Sequence, residues 1–178
     1  MIRLFVALPF PDSLRRRMTQ ICTGIDDARW IDGHNLHLTL RFMGEVPEDQ
    51  GEDLAIALSS VRHKPFRLRL KGVGQFGSAR GVRAVWVGIE PTPELGHLRA
   101  RIDATLQRAG LEPEHRKFHP HVTLARLRHA TPDAIAPWLA ANTLFTTMPH
   151  EVDKFALFSS HLGKSGADYT MEMEYPLG

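Results

Sequence analysis

Period-two alternation is cleanest at residues 35–43. Leu36, Leu38, Leu40 and Phe42 fall on one face, and His37, Thr39 and Arg41 on the other, as in a half-buried β-strand. Residues 65–71 repeat the pattern, with Phe66, Leu68 and Leu70 against Arg67, Arg69 and Lys71. Further strands are predicted at 2–8, at 82–90 around Trp86, at 119–127, near 150–158 and near 168–175.

Helical spacing separates these strands. Leu14, Met18, Ile21 and Cys22 recur at helical intervals after Pro11-Asp12-Ser13, and a second helix suits Glu48 to Val61, with acidic residues in its first turn. Thr92-Pro93-Glu94 is a strong helix start, because proline at the first helical position loses no hydrogen bond. Leu95, Leu98, Ile102, Leu106 and Ala109 make its buried stripe, and Gly110 ends it. A shorter helix is predicted at 132–141, with its first turn or a kink at Pro137.

Helices and strands thus recur in both halves without a close sequence repeat. The pattern predicts an α+β fold of two similar lobes related by a pseudo-twofold axis. Short links between several strands favour antiparallel pairing within each lobe. A length of 178 residues suits a single bilobal domain spanning 1–178.

Composition narrows the setting. The chain is 43% hydrophobic and 24% charged, as in an ordinary globular protein. No apolar run reaches the roughly 18–20 residues of a membrane span. The opening Met1-Ile2-Arg3-Leu4-Phe5-Val6-Ala7-Leu8 is too short for a signal peptide and reads as a strand. Cys22 is the single cysteine, so an internal disulfide and a cysteine-based zinc site are excluded. A reducing cytoplasm fits. The formal net charge is +2, and arginine far outnumbers lysine, 17 to 5. Guanidinium can grip phosphate bidentately, so RNA is permitted as a partner without being required. The cationic face of 65–71 is expected in solvent, the alternative being a track for RNA phosphates.

Two tetrapeptides carry the chemistry: His37-Leu38-Thr39-Leu40 and His121-Val122-Thr123-Leu124. On a strand, residues i and i+2 share a face, so each histidine stands beside its threonine while the apolar residues anchor the strand. In a chain with ten histidines a bare H-x-T is a weak signal. An apolar second residue and a fourth-position leucine in both copies make it selective. Two such strands facing each other would set two imidazoles around one phosphate. Opening a cyclic phosphate needs a base to activate water and an acid for the departing oxygen, and histidine suits both. The hydroxyls would stabilise charge on the phosphate.

The chain resembles the bacterial and archaeal RNA 2′,3′-cyclic phosphodiesterases, also called 2′-5′ RNA ligases, of the 2H phosphoesterase superfamily. The likeness runs along nearly the whole sequence. It includes Arg3-Leu4-Phe5-Val6-Ala7, Arg29-Trp30 leading to the first motif, and Phe42-Met43-Gly44. It continues through Gly74-Gln75-Phe76, Trp86-Val87-Gly88 and Phe118-His119-Pro120-His121 to Arg126, then Leu157-Phe158-Ser159-Ser160 and Tyr169. The resemblance implies two lobes, each an antiparallel sheet with helices outside, and an active site in the cleft between them. It implies hydrolysis of an RNA-terminal 2′,3′-cyclic phosphate to a 2′-phosphate, with no metal and no cofactor. His37 would be the proton donor and His121 the proton acceptor. Thr39, Thr123 and Arg126 would bind substrate. Strict alternation puts Arg126 on the face opposite His121, so a bulge must intervene. Gly77 departs from the family pattern, where many relatives carry proline.

Other readings remain open at this level. The same site could run the reverse 2′-5′ ligation, serve a small cyclic nucleotide, or bind a nucleotide without turnover. The pair His119 and His121 invites a metal, but no cysteine pair or H-E-x-x-H accompanies it. Arg41 could extend the phosphate site or lie at the surface. Trp30, Trp86 and Trp138 are assigned to the core. Nothing requires a second copy, and a monomer is expected.

Overall fold

Thr92 and Thr131 each precede a proline, and each begins a helix in the computed structural model, which describes residues 1–178. The helices are α1 (Asp12–Thr19), α2 (Glu48–Leu58), α3 (Pro93–Arg108) and α4 (Pro132–Asn142). At α4 the Thr131 hydroxyl accepts the Ala134 N–H at 3.2 Å. The helix then passes through Pro137, its sixth residue, so this proline does not mark the first turn as expected, and the Asp133 carbonyl goes without the bond that an N–H at 137 would donate. Gly110 follows α3 with φ +103°, a conformation glycine adopts at little cost.

The strands are β1 (Ile2–Pro9), β2 (Arg29–Trp30), β3 (His37–Val46), β4 (Phe66–Leu68), β5 (Leu70–Ser78), β6 (Gly81–Ile89), β7 (His121–Ala130), β8 (His150–Val152), β9 (Lys154–Gly163) and β10 (Gly166–Pro176). They form two four-stranded antiparallel sheets, β10-β9-β1-β3 and β2-β7-β6-β5, and a small pair, β4-β8. The lobes do not follow the halves of the sequence. The first sheet joins strands from both ends of the chain, and the second takes its strands from between them. Helices are exchanged too. α3 leaves the second sheet but packs with α2 on β3, whereas α4 packs on β5 and β6, and Trp138 of α4 donates to the Ile21 carbonyl just after α1. Such long-range exchange leaves no local periodicity to read.

One connected cluster of 36 buried hydrophobic residues runs through both lobes. Leu38 and Leu124 are fully enclosed in it. Burial of each such side chain stabilises by about 1.5–3 kcal/mol, which fixes the two motif strands from beneath. β3 and β7 approach one another across the lobe boundary without pairing.

A constant offset of 84 residues relates the two motifs, taking Asn35, His37, Thr39 and Phe42 onto His119, His121, Thr123 and Arg126. The burial sequences of β3 and β7 agree at nine of ten positions, as the predicted pseudo-twofold requires. Both strands bulge at the same place. Between Thr39 and Arg41, and between Thr123 and Ala125, one extra residue slips into the ladder. Each bulge reverses the alternation that follows it.

Candidate active site

The bulges decide which side chains reach the site. Beyond Leu40, Arg41 turns into the protein and Phe42 turns out. This corrects two expectations, because Phe42 is 52% exposed and Arg41 neither joins the phosphate site nor reaches the surface. The Arg41 side chain is 5% exposed and pairs with Asp103 of α3 at 2.7 Å. Its remaining nitrogens donate to the Phe42 carbonyl at 3.1 Å and to the Glu112 carbonyl, with the Glu114 carboxylate 3.6 Å away. Arg41 thereby ties β3 to the segment that leads into the second motif. Beyond Leu124 the same reversal brings Arg126 to the face of His121 and Thr123, supplying the bulge that Arg126 needed.

The two histidines are oriented by one device used twice. His37 Nδ1 lies 2.6 Å from the Asn35 carbonyl, and His121 Nδ1 lies 2.6 Å from the His119 carbonyl. A carbonyl only accepts, so the proton belongs on Nδ1 in both rings and Nε2 carries the reactive lone pair. His37 Nε2 is 3.0 Å from the Thr39 hydroxyl. The second pair has no such bond, and Thr123 sits opposite Trp86 in the ladder.

The surroundings hold both rings neutral. Phe5 and Tyr169 lie against His37, with ring centroids 4.9 and 5.1 Å away, and Phe158 lies behind at 6.2 Å. Burial pushes the His37 pKa down to about 4, and the positive charge of Arg126 and the nearby His121 ring add to that depression, against the opposing carbonyl bond. His121 is also lowered, first by burial and then by His119 and Arg126. Arg126 therefore acts electrostatically on both histidines, and the His121 ring acts on His37. Two imidazoles that feel one guanidinium, carried on strands that approach each other across the lobe boundary, are suited to an anion.

The family model described as the 2′-5′ RNA ligase superfamily matches residues 10–164. The chain belongs to that superfamily. The chain is 31% identical to the RNA 2′,3′-cyclic phosphodiesterase of Thermotoga maritima, over 97% of this chain and 94% of that relative. The match to the RNA 2′,3′-cyclic phosphodiesterase of Aeropyrum pernix is 41% identical and spans 61% of each chain. Among solved structures, E. coli LigT complexed with 3′-AMP superposes with a TM-score of 0.79 at 28% identity, covering 99% of this chain and 98% of LigT.

Within this superfamily framework, the structure adds residues that periodicity did not select. Trp86, assigned to the core, lies beside the site with its ring 5.0 Å from His119 and 6.1 Å from His121. Phe76 meets His121 edge-on at 4.7 Å. A Cβ at Gly74 would strike the Trp86 indole, so glycine there is what lets the ring lie across the sheet. At Gly77, φ is +150° and a Cβ would strike the Gly81 carbonyl. The hairpin here is built around glycine. The clue in the sequence was the spacing Gly74, Gly88 and Trp86, three residues whose strands are adjacent.

Proposed function

We propose that this protein opens a 2′,3′-cyclic phosphate at an RNA end to a 2′-phosphomonoester, without a metal or other cofactor. The observation that carries the reading is the pair of Nε2 atoms, each aimed by a backbone carbonyl at its Nδ1, beside the Arg126 charge that both rings feel. The printed names of the Thermotoga and Aeropyrum relatives support the substrate class.

In this mechanism Arg126, Thr39 and Thr123 hold the non-bridging oxygens of the phosphate. His121 Nε2 removes a proton from water as the water oxygen bonds to phosphorus. The bond from phosphorus to the ribose 3′ oxygen breaks, and His37 Nε2 supplies its proton to that oxygen. The negative substrate favours the protonated form of His37, which burial alone disfavours. His37 is then recharged by the proton that His121 gained, through solvent. The assignment of donor to His37 and acceptor to His121 follows the family pattern, since both rings have the same backbone partner.

The 36-residue core shared by both lobes supports treating residues 1–178 as one bilobal domain, and with both motifs in one chain the proposed reaction needs no more than a monomer. No helix is long and apolar enough to cross a membrane, and the lone Cys22 suits a cytoplasmic setting. The deciding experiment is incubation with an RNA ending in a 2′,3′-cyclic phosphate, followed by identification of the product. A 2′-phosphate is expected. A 3′-phosphate would mean that the other ribose oxygen leaves, and would overturn the roles given to the two histidines.

A further inference from the structure

Two hollows adjoin at Thr92 and together make a groove from beside His119 to a group of cations. Its inner part, of about 550 Å³, is lined by Trp86, Phe118, His119, Lys71 and Thr92 among others. Its outer part, of about 630 Å³, shares Thr92 and continues past Lys64, Arg67 and Arg101. The inner part opens on the catalytic face. Gly88 pairs with His121 and Trp86 with Thr123, and partners in a ladder share a face. Lys71 lies on the next strand, its carbonyl against Gly88, so two strand spacings, roughly 10 Å, separate it from His121.

Charge and ring character change along this path. Near the site it is lined by the rings of Trp86, exposed His119 and Phe118, with Arg99 over one face of Phe118 at 4.8 Å. Further out, Lys71, Arg67, Lys64 and Arg101 are all exposed. Three carboxylates oppose them, and exposed Glu151 is the cross-strand partner of Arg67. Glu94 is engaged by the Thr92 hydroxyl, and Glu90 is shared between Arg69 and Lys71 at 3.8 Å each. Stacking surfaces followed by a cationic track are what a flexible single strand requires, without selection for base sequence.

We propose that this groove takes the nucleotides upstream of the cyclic end, making a single-stranded RNA, and not a mononucleotide, the preferred substrate. The proposal rests on the functional reading above and extends it beyond the terminal phosphate. Lys64, Arg67 and Lys71 contact backbone phosphates, Phe118 and Trp86 offer faces for bases, and Glu90 tempers the charge.

The test uses the intact protein, the triple variant Lys64→Ala/Arg67→Ala/Lys71→Ala and, separately, Glu90→Gln. Turnover is measured on a six-nucleotide RNA and on a nucleoside, each with a 2′,3′-cyclic phosphate. Binding of the corresponding 2′-phosphate products is measured by fluorescence anisotropy across a salt series. The triple variant should lose roughly ten-fold or more in kcat/KM and in affinity on the hexamer, with a shallower salt slope, and change less than two-fold on the nucleoside. Glu90→Gln should tighten the hexamer only. Unchanged hexamer binding in the triple variant, or an equal loss on both substrates, overturns the groove assignment. Failure of the functional reading shows differently, as absence of turnover of either substrate by the unaltered protein.

Discussion

Protonation of His37 sets the largest electrostatic demand on the proposed reaction. The ring is packed among Phe5, Tyr169 and Phe158, and its pKa lies at about 4, against about 6.5 for an exposed imidazole. At pH 7 roughly one free molecule in a thousand carries the charge, a deficit of about 4 kcal/mol for the acid form. A bound phosphate places negative charge beside Nε2 and offsets much of that deficit. Because kcat/KM follows the free enzyme and kcat the complex, the two profiles should separate. We expect kcat/KM to peak on the acid side, between about pH 4 and the lowered pKa of His121, while kcat persists to higher pH. Stability carries the same signature with a definite sign. The unfolded chain takes the His37 proton below about pH 6.5, but the folded chain only near 4. The contribution is therefore intact above pH 6.5 and shrinks as pH falls, by about 3 kcal/mol on reaching 4. Paired pH–rate profiles on a cyclic-phosphate oligonucleotide, with imidazole NMR titrations of the free and 2′-nucleotide-bound protein, measure all of this. A free-protein midpoint for His37 at 6.5 or above, or one that a bound phosphate fails to raise, refutes the reasoning.

His37→Ala and His121→Ala should each slow turnover by roughly 10²–10⁴; near-normal rates in either would remove that residue from the mechanism. Arg126→Gln should raise the NMR midpoints of both histidines and cost about 1.5–3 kcal/mol in transition-state binding; midpoints that stay put would deny its shared electrostatic role. Arg41→Met leaves Asp103 buried without its partner, and should destabilise the fold by about 3–5 kcal/mol in denaturant melts, with Arg41→Met/Asp103→Leu recovering most of the loss. Activity should survive exhaustive dialysis against EDTA, and a loss restored by zinc or manganese would contradict the metal-free reading.

The two histidine–threonine pairs were legible because period two holds between them, and each strand is straight from histidine to threonine. Period two fails at the next residue. Nothing local in Leu40-Arg41-Phe42 announces a bulge, so Arg41 was placed beside His37 and Phe42 in the core, the reverse of what occurs. The same device at Leu124 was inferable only because Arg126 was wanted on the motif face. The boundaries of α3 were legible from Thr92-Pro93 and Gly110, whose effects are local. The exchange of α3 between lobes and the return of β9 to β1 were not, since pairing across most of the chain leaves no trace in a short window. Trp86 escaped because a tryptophan among valines looks like core; its exposure to the cleft depends on Gly74, which belongs to another strand.

The pairing of β1 with β9 also orders events during translation. Val6 pairs with Leu157, so at about 5–20 residues per second the first strand waits roughly 8–30 s for its neighbour to be synthesised. Until then its open edge is a template for another nascent chain. A ribosome that has reached Ala130 has already made both histidines, both threonines and Arg126. It has not made Phe158 and Tyr169, the walls that hold His37 neutral. The list of reactive groups is thus complete well before the environment that tunes them, and catalytic competence should arrive with the Lys154–Pro176 hairpin rather than with the second motif.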